Sequence, residues 1–176
     1  MRIVAGEYGG RRLKAPAGLS TRPTADRVRE ALFSILGQVD GLTVLDLYAG
    51  SGALGIEALS RGASEAVFVD SSRTAVSVID ENLKSLGADN GEIVQRDVLD
   101  WLRSAGERAF DLVFCDPPYD AAPRIAQALT EFVPRVAASE ALIVTESSKR
   151  NPLVLDLPLT DERTYADTRI AIHRGR

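Results

Sequence analysis

The chain has 176 residues, 45% of them hydrophobic, and a formal net charge of −4. Such an apolar content excludes a disordered chain, and the length allows one domain whose core needs no staples. One cysteine excludes an internal disulfide, and one Cys with one His cannot build a Cys/His zinc site, so no metal is expected. No apolar run approaches the ~18 residues of a membrane span. Met1-Arg2-Ile3-Val4 is punctuated at once by Gly6, Gly9 and Gly10 rather than continued as an apolar signal segment, so a cytoplasmic location is expected. The charge is unevenly spread. Residues 1–36 carry seven basic groups against three acidic ones, and the remainder 14 against 22. A basic arm on an acidic body is an arrangement suited to a phosphate backbone, with Arg2, Arg11, Arg12, Lys14 and Arg22 as the candidate contacts.

In chain order, residues 3–14 predict a hairpin with a tight turn at Gly9-Gly10. Residues 15–23 are rich in Pro, Gly and Ser and predict a linker, so an N-terminal arm (1–23) is expected ahead of the main domain (24–176). Thr24 predicts the cap of a helix to about Leu36, with Val28, Leu32, Ile35 and Leu36 on one face. From residue 42 strands and helices alternate. Strands are predicted at Thr43–Leu47, Ala66–Asp70, Glu92–Gln95, Leu112–Cys115 and Ala141–Glu146. Helices are predicted at Leu54–Arg61, Arg73–Leu86, Val98–Ala105 and Ala122–Val136. Apolar runs of this kind belong to parallel strands buried on both faces, so the fold class is α/β, a doubly wound, mostly parallel sheet. Glu162–Ala166 and Arg169–His173 flank Asp167-Thr168 and predict a closing antiparallel hairpin.

The segment Val44-Leu45-Asp46-Leu47-Tyr48-Ala49-Gly50-Ser51-Gly52-Ala53-Leu54-Gly55 ends a strand and opens a helix. Glycines there let the backbone turn sharply and approach a ligand. Gly50-x-Gly52-x-x-Gly55 also satisfies the dinucleotide fingerprint. Asp70, 20 positions beyond Gly50, can accept hydrogen bonds from ribose hydroxyls. A small nicotinamide-dependent reductase and a methyltransferase therefore compete. Three features favour the second: Asp46, whose extra carboxylate suits a ligand bearing an ammonium and a sulfonium; Asp97, placed to accept from an adenine amine; and the lack of a dehydrogenase-sized substrate domain.

Asp116-Pro117-Pro118-Tyr119 follows the fourth strand, at the carboxyl end where open α/β sheets bind ligands. Prolines stiffen the loop and remove donors. The Asp116 carboxylate and the Pro117 carbonyl can hold both N–H bonds of an exocyclic base amine, and Asp116 can then take its proton. Tyr119 offers a ring for a flipped base. The same tetrapeptide is also good turn chemistry. Cys115 and Trp101 read as packing residues, and His173 as structural or surface.

The combination resembles the class I, Rossmann-like methyltransferases, and more closely the bacterial 16S ribosomal RNA guanine-N2 methyltransferases of the RsmD type. The matching residues are Ile3-Val4-Ala5-Gly6 through Gly10-Arg11-Arg12-Leu13, then Arg22-Pro23-Thr24-x-Asp26-Arg27-Val28-Arg29-Glu30-x-Leu32-Phe33, the stretch from Asp46 to Ala58, and Asp116 through Tyr119. The N-terminal stretch discriminates, because DNA adenine and protein glutamine methyltransferases resemble the rest. The resemblance implies a monomer using S-adenosylmethionine on a small-subunit particle. It places cofactor contacts at Asp46, Tyr48, Ala49, Gly50, Gly52, Asp70, Asp97 and Val98, and catalysis at Asp116, Pro117, Pro118 and Tyr119. The alternatives are an adenine-N6 methyltransferase of DNA or RNA, the reductase, and an RNA-binding assembly factor without turnover.

Overall fold

The structure, a computed structural model, describes residues 1–16, 23–106, 108–118 and 120–175. Arg22, Tyr119 and most of the predicted linker lie outside the described residues. The elements run α1 (Pro23–Leu36), β1 (Thr43–Leu47), α2 (Ala53–Ser60), β2 (Glu65–Asp70), α3 (Arg73–Leu86), β3 (Gly91–Gln95), α4 (Val98–Ser104), β4 (Phe110–Cys115) and α5 (Ala122–Phe132). A short 3-10 turn (Val133–Arg135), β5 (Ala137–Ser148), β6 (Leu159–Tyr165) and β7 (Thr168–Arg174) complete the chain. Among the described residues seven strands form one sheet, ordered β3-β2-β1-β4-β5-β7-β6. The first five are parallel, and β7 runs antiparallel to both β5 and β6. This is the expected doubly wound sheet with its closing hairpin.

Alternation along the strands divides the interior into two cores. Val44, Phe68, Phe114 and Val144 face one side, where α1, α2, α3 and the N-terminal arm cover them. Leu45, Val67, Val113 and Ile143 face the other, with Trp101 of α4 and Leu129 of α5. Phe33 of α1 sits with its ring centroid 5.8 Å from that of Phe114, which fixes α1 over β4. Cys115, Trp101 and His173 are buried, and the His173 imidazole lies against the Leu157 carbonyl at 3.2 Å. The chain leaves β1 toward β2 and β3, then crosses to β4. Ligands bind such sheets at this reversal, outside the carboxyl ends of the central strands.

Several local expectations are corrected. Helix α1 begins at Pro23, so Thr24 lies inside it rather than capping it. Proline suits a first helical position because the N–H it lacks has no partner there anyway. Strand β5 starts at Ala137, earlier than its apolar run. A register shift opposite Phe110–Leu112 and a positive φ of 66° at Glu140 accommodate the extra residues. The arm is not a regular hairpin. It has one antiparallel bridge, Arg2 to Arg12, with Ile3 N–H donating to the Arg11 carbonyl at 3.0 Å and Gly10 N–H to Ile3 at 2.8 Å. Its positive-φ glycines are Gly6 and Gly10, so a wider loop replaces the tight Gly9-Gly10 turn.

That loop is dictated by what it rests on. Ile3 and Leu13 are buried in the main core. The fully buried Glu57 of α2 accepts from Val4 N–H at 2.8 Å and Ala5 N–H at 3.1 Å, and pairs with Arg61 at 2.8 Å and Arg29 of α1 at 3.3 Å. Glu7 and Tyr8 N–H groups donate to the carbonyl and hydroxyl of Ser60. A Cβ on Gly6 would lie 1.7 Å from the Ser60 carbonyl oxygen, so only glycine permits this approach.

Candidate active site

The cofactor loop leaves β1 through Tyr48, which carries φ 61°. A left-handed tyrosine costs ~1–2 kcal/mol, a strain characteristic of functional loops. Two carboxylates brace the turn: Asp70 accepts from Gly50 N–H at 2.9 Å and from Ser72 N–H at 2.8 Å, while Asp46 accepts from Gly55 N–H at 2.9 Å. Gly52 has φ 75°, and a Cβ there would press on Ile79, Ile56 and Phe68 at 3.2–3.3 Å. Its missing side chain makes room for the core, and Gly55, whose Cβ would lie 2.3 Å from Phe68, does the same. Ala49 is buried, with its N–H on the Val69 carbonyl at 3.2 Å.

Asp97 caps α4, its Oδ1 accepting from Leu99 N–H at 2.9 Å and Asp100 N–H at 3.1 Å. The other carboxylate oxygen takes no part in the cap. Val98, the first residue of α4, is buried in the second core. The half-buried Tyr48 phenol is raised by burial first, then by nearby Cys115 and Asp97, so Tyr48 and Asp97 belong to one neighbourhood.

Electrostatics set this crevice apart. Burial pushes the Asp46 carboxyl up to about 8; the Gly55 N–H opposes the rise, and nearby Asp116 and Asp70 add to it. Burial likewise raises Asp116 well above the ordinary carboxylate range. Glu146 of β5 is raised by burial and by Asp116, and opposed by Arg29. The structure thus gathers Asp46, Asp70, Asp116 and Glu146 at the carboxyl ends of β1, β2, β4 and β5. Neither the Asp116 nor the Glu146 carboxyl has a hydrogen bond or ion pair to another described residue. Asp116 follows Cys115, the last paired residue of β4, and its N–H lies 3.5 Å from the Leu47 carbonyl. Pro118 turns the chain by accepting from Ala121 N–H at 2.8 Å, while the Pro117 carbonyl accepts from no described residue.

Glu146 escaped the sequence reading. The available signal was its even spacing from Val144 and Leu142 beside Asp116, which puts it on the same face of the sheet as Asp46 and Asp70. Elsewhere, the arm's candidate cations divide. Arg11 places its guanidinium on the carbonyls of Ser85 and Leu86, at the end of α3. Lys14 pairs with Glu81 at 2.7 Å. Arg2 and Arg12 are exposed and form no ion pair with another described residue.

A family profile described as Conserved hypothetical protein 95 matches residues 1–174. Ribosomal RNA small subunit methyltransferase D of Escherichia coli K12 is 38% identical over 160 residues, covering 87% of this chain and 77% of its own. The protein of that name in Haemophilus influenzae is 35% identical, covering 88% and 82%. The chain belongs to this methyltransferase family. Its members' structures agree with the fold seen: the candidate methyltransferase yhhF of E. coli superposes with a TM-score of 0.84 at 32% identity, covering 100% of this chain and 98% of its own. A Thermus thermophilus 16S rRNA N2 G1207 methyltransferase, solved with AdoMet and guanosine, shares the fold at TM-score 0.73 and 24% identity over 91% of this chain and 45% of its own. As a member of this family the chain is a methyltransferase. Its crevice suits S-adenosylmethionine as the donor, since buried and partly buried carboxyls that form no ion pair with another described residue are matched by a ligand bearing a sulfonium and an ammonium. A pyrophosphate would meet repulsion there, which disfavours the nicotinamide reading. No described helix is long and apolar enough to cross a membrane.

Proposed function

We propose that the enzyme methylates the exocyclic N2 amine of a guanine in 16S ribosomal RNA, acting as a cytoplasmic monomer on the small subunit or its precursor. The observation that carries this reading is the Asp116–Pro117 pair of acceptors, which no described residue occupies, beside an anionic cofactor crevice. The names of the E. coli and H. influenzae relatives supply the small-subunit RNA.

When bound, S-adenosylmethionine supplies an electrophilic methyl on a sulfonium. Asp70 retains lone pairs for the ribose hydroxyls after its two backbone bonds. Asp97 has an oxygen not used by its cap that would accept from the adenine amine, and Tyr48 would line the same end. Asp46 would answer the ligand's positive charge from beneath the loop, whose backbone at Ala49, Gly50 and Gly52, with the start of α4 at Val98, would border the ligand. The Asp116 carboxylate and Pro117 carbonyl hold the two N–H bonds of the base amine, aiming its lone pair and stabilising the charge that grows on nitrogen. Asp116 then takes the proton, a task that its raised pKa suits. Pro118 stiffens the loop, and Tyr119 stacks on the extruded base. Arg2 and Arg12 meet phosphates with Arg22, while Arg11 and Lys14 hold the arm in place.

The test is nucleoside analysis of ribosomal RNA from cells lacking the protein, before and after it is restored. Loss and return of one N2-methylguanine is expected. Return of N6-methyladenine instead would replace this reading with the adenine one.

A further inference from the structure

Glu146 is a carboxylate without a job in the fold. It follows Thr145, which pairs in parallel register with Cys115, so Glu146 and Asp116 stand side by side at the ends of adjacent strands. Its backbone is held against Ile170 of β7, which fixes its position. It is partly buried, yet no described residue donates a hydrogen bond to it. Arg29 is near enough to ease its charge but is committed to Glu57, Asp26 and the Arg2 carbonyl. A partly buried carboxyl without donors from the protein is poorly solvated, and a ligand that supplies a donor relieves this.

The proposed substrate has the donor required. Guanine presents N1–H beside its N2 amine, so two adjacent donors share one edge. Adenine presents a bare N1 lone pair next to its amine. The geometry points to Glu146 as the group that accepts the guanine N1–H while Asp116 holds the N2 amine, so that neighbouring carboxyls on β5 and β4 read the two donors together. A carboxyl at this place keeps an acceptor oxygen for N1–H in either protonation state. Facing adenine, the ionised form meets the N1 lone pair and is left without its donor. Guanine N1–H favours the ionised carboxylate, and in that form repulsion of the adenine lone pair adds to the choice of base.

This assignment rests on the guanine reading, and its test separates the two. Small-subunit particles are reassembled from RNA carrying guanine or 2-aminopurine at the methylated position. 2-Aminopurine keeps the 2-amine and lacks N1–H. Methyl transfer is measured with wild type, Glu146→Ala and Glu146→Gln, each first shown to melt cooperatively and to bind S-adenosylmethionine. Wild type is expected to favour guanine by at least ~10-fold in kcat/KM, the scale of one hydrogen bond to a charged group. Glu146→Ala should bring the ratio near unity by losing rate on guanine alone. Glu146→Gln keeps a carbonyl acceptor and should keep most of the preference. Equal losses on both bases in Glu146→Ala, or no wild-type preference, would overturn the assignment while leaving N2 methylation standing. A wild type that methylates neither base would overturn both.

Discussion

Substituting Asp46 by Asn should stabilise the ligand-free enzyme and weaken its hold on S-adenosylmethionine. Asp46 is 2% exposed, and its carboxyl is raised from 3.8 to about 8, chiefly by burial. The folded state therefore binds a proton that the unfolded state has released throughout that window. Stability is fully present below pH ~4 and declines as pH rises, by ~1.4 kcal/mol per unit, until the folded carboxyl ionises near 8. By pH 7 the loss approaches ~4 kcal/mol as an upper bound, and water reaching the crevice reduces it to ~2 kcal/mol. Asn mimics the protonated acid, and its amide oxygen can still accept from Gly55 N–H. The variant should escape this decline, with Tm higher by ~4–8 °C at pH 8 and the gap closing toward pH 4, since ~1 kcal/mol moves Tm by ~2–4 °C at this size. Thermal melts from pH 4 to 9 without ligand, paired with calorimetric titration of S-adenosylmethionine, provide the assay. An Asn variant less stable than wild type at pH 8, or one that binds the cofactor as tightly, would refute the argument that the buried charge is held in reserve for a cationic ligand.

Asp116→Asn should lower turnover by ~10²-fold or more while cofactor affinity stays within a few-fold, measured by single-turnover transfer and calorimetry. In wild type the acid limb of the rate should lie well above pH 3.8, because burial raises the Asp116 pKa and the proton acceptor must be ionised. Arg12→Ala should reduce the salt slope of particle binding by ~0.7–0.9, the release expected from one phosphate contact, whereas Arg11→Ala should leave the slope alone and lower Tm, because Arg11 is spent on the carbonyls of α3. Glu57→Gln should destabilise by ~3–5 kcal/mol in denaturant titration, since it strips a charge partner from the buried Arg29 and loosens the arm.

Much of the scaffold was legible because strand and helix periods alternate without ambiguity after residue 42. β1 and α3 fall on their predicted residues, since a short apolar run marks the strand and Ser72 and Gly87 bound the helix. The candidate site was legible where a residue type answers to a local backbone need, as with Asp70 under Gly50 and Asp46 under Gly55. It was illegible where the reason lies far away in the chain. Arg11 resembles any arm cation until the carbonyls 74 and 75 positions on are brought to it. Gly52 resembles a ligand-approach glycine until Ile79 and Phe68 are seen beneath it. Glu146 reads as the polar end of an apolar strand, and only the β4–β5 register sets it against Asp116.

The arm and the cofactor loop form one rigid block, and this bears on how a chain of net charge −4 can act on RNA. Asn82 of α3 is 1% exposed and uses its whole amide for the connection. Its oxygen accepts from Lys14 N–H at 2.8 Å, and its nitrogen donates to the Lys14 carbonyl at 3.1 Å and the Ser51 carbonyl at 3.0 Å. Met1 approaches the Ser51 hydroxyl at 3.6 Å. Arg2 and Arg12, proposed to meet phosphate, are thereby set at a fixed distance from the loop proposed to hold the methyl donor. An arm on a flexible linker would gain contacts at the entropic cost of ordering itself at each encounter; a docked arm has met that cost in folding. The few cations left exposed on it then orient the substrate more than they attract it. On the proposed reading, such an arm favours an RNA that arrives already shaped, as a ribosomal particle presents it.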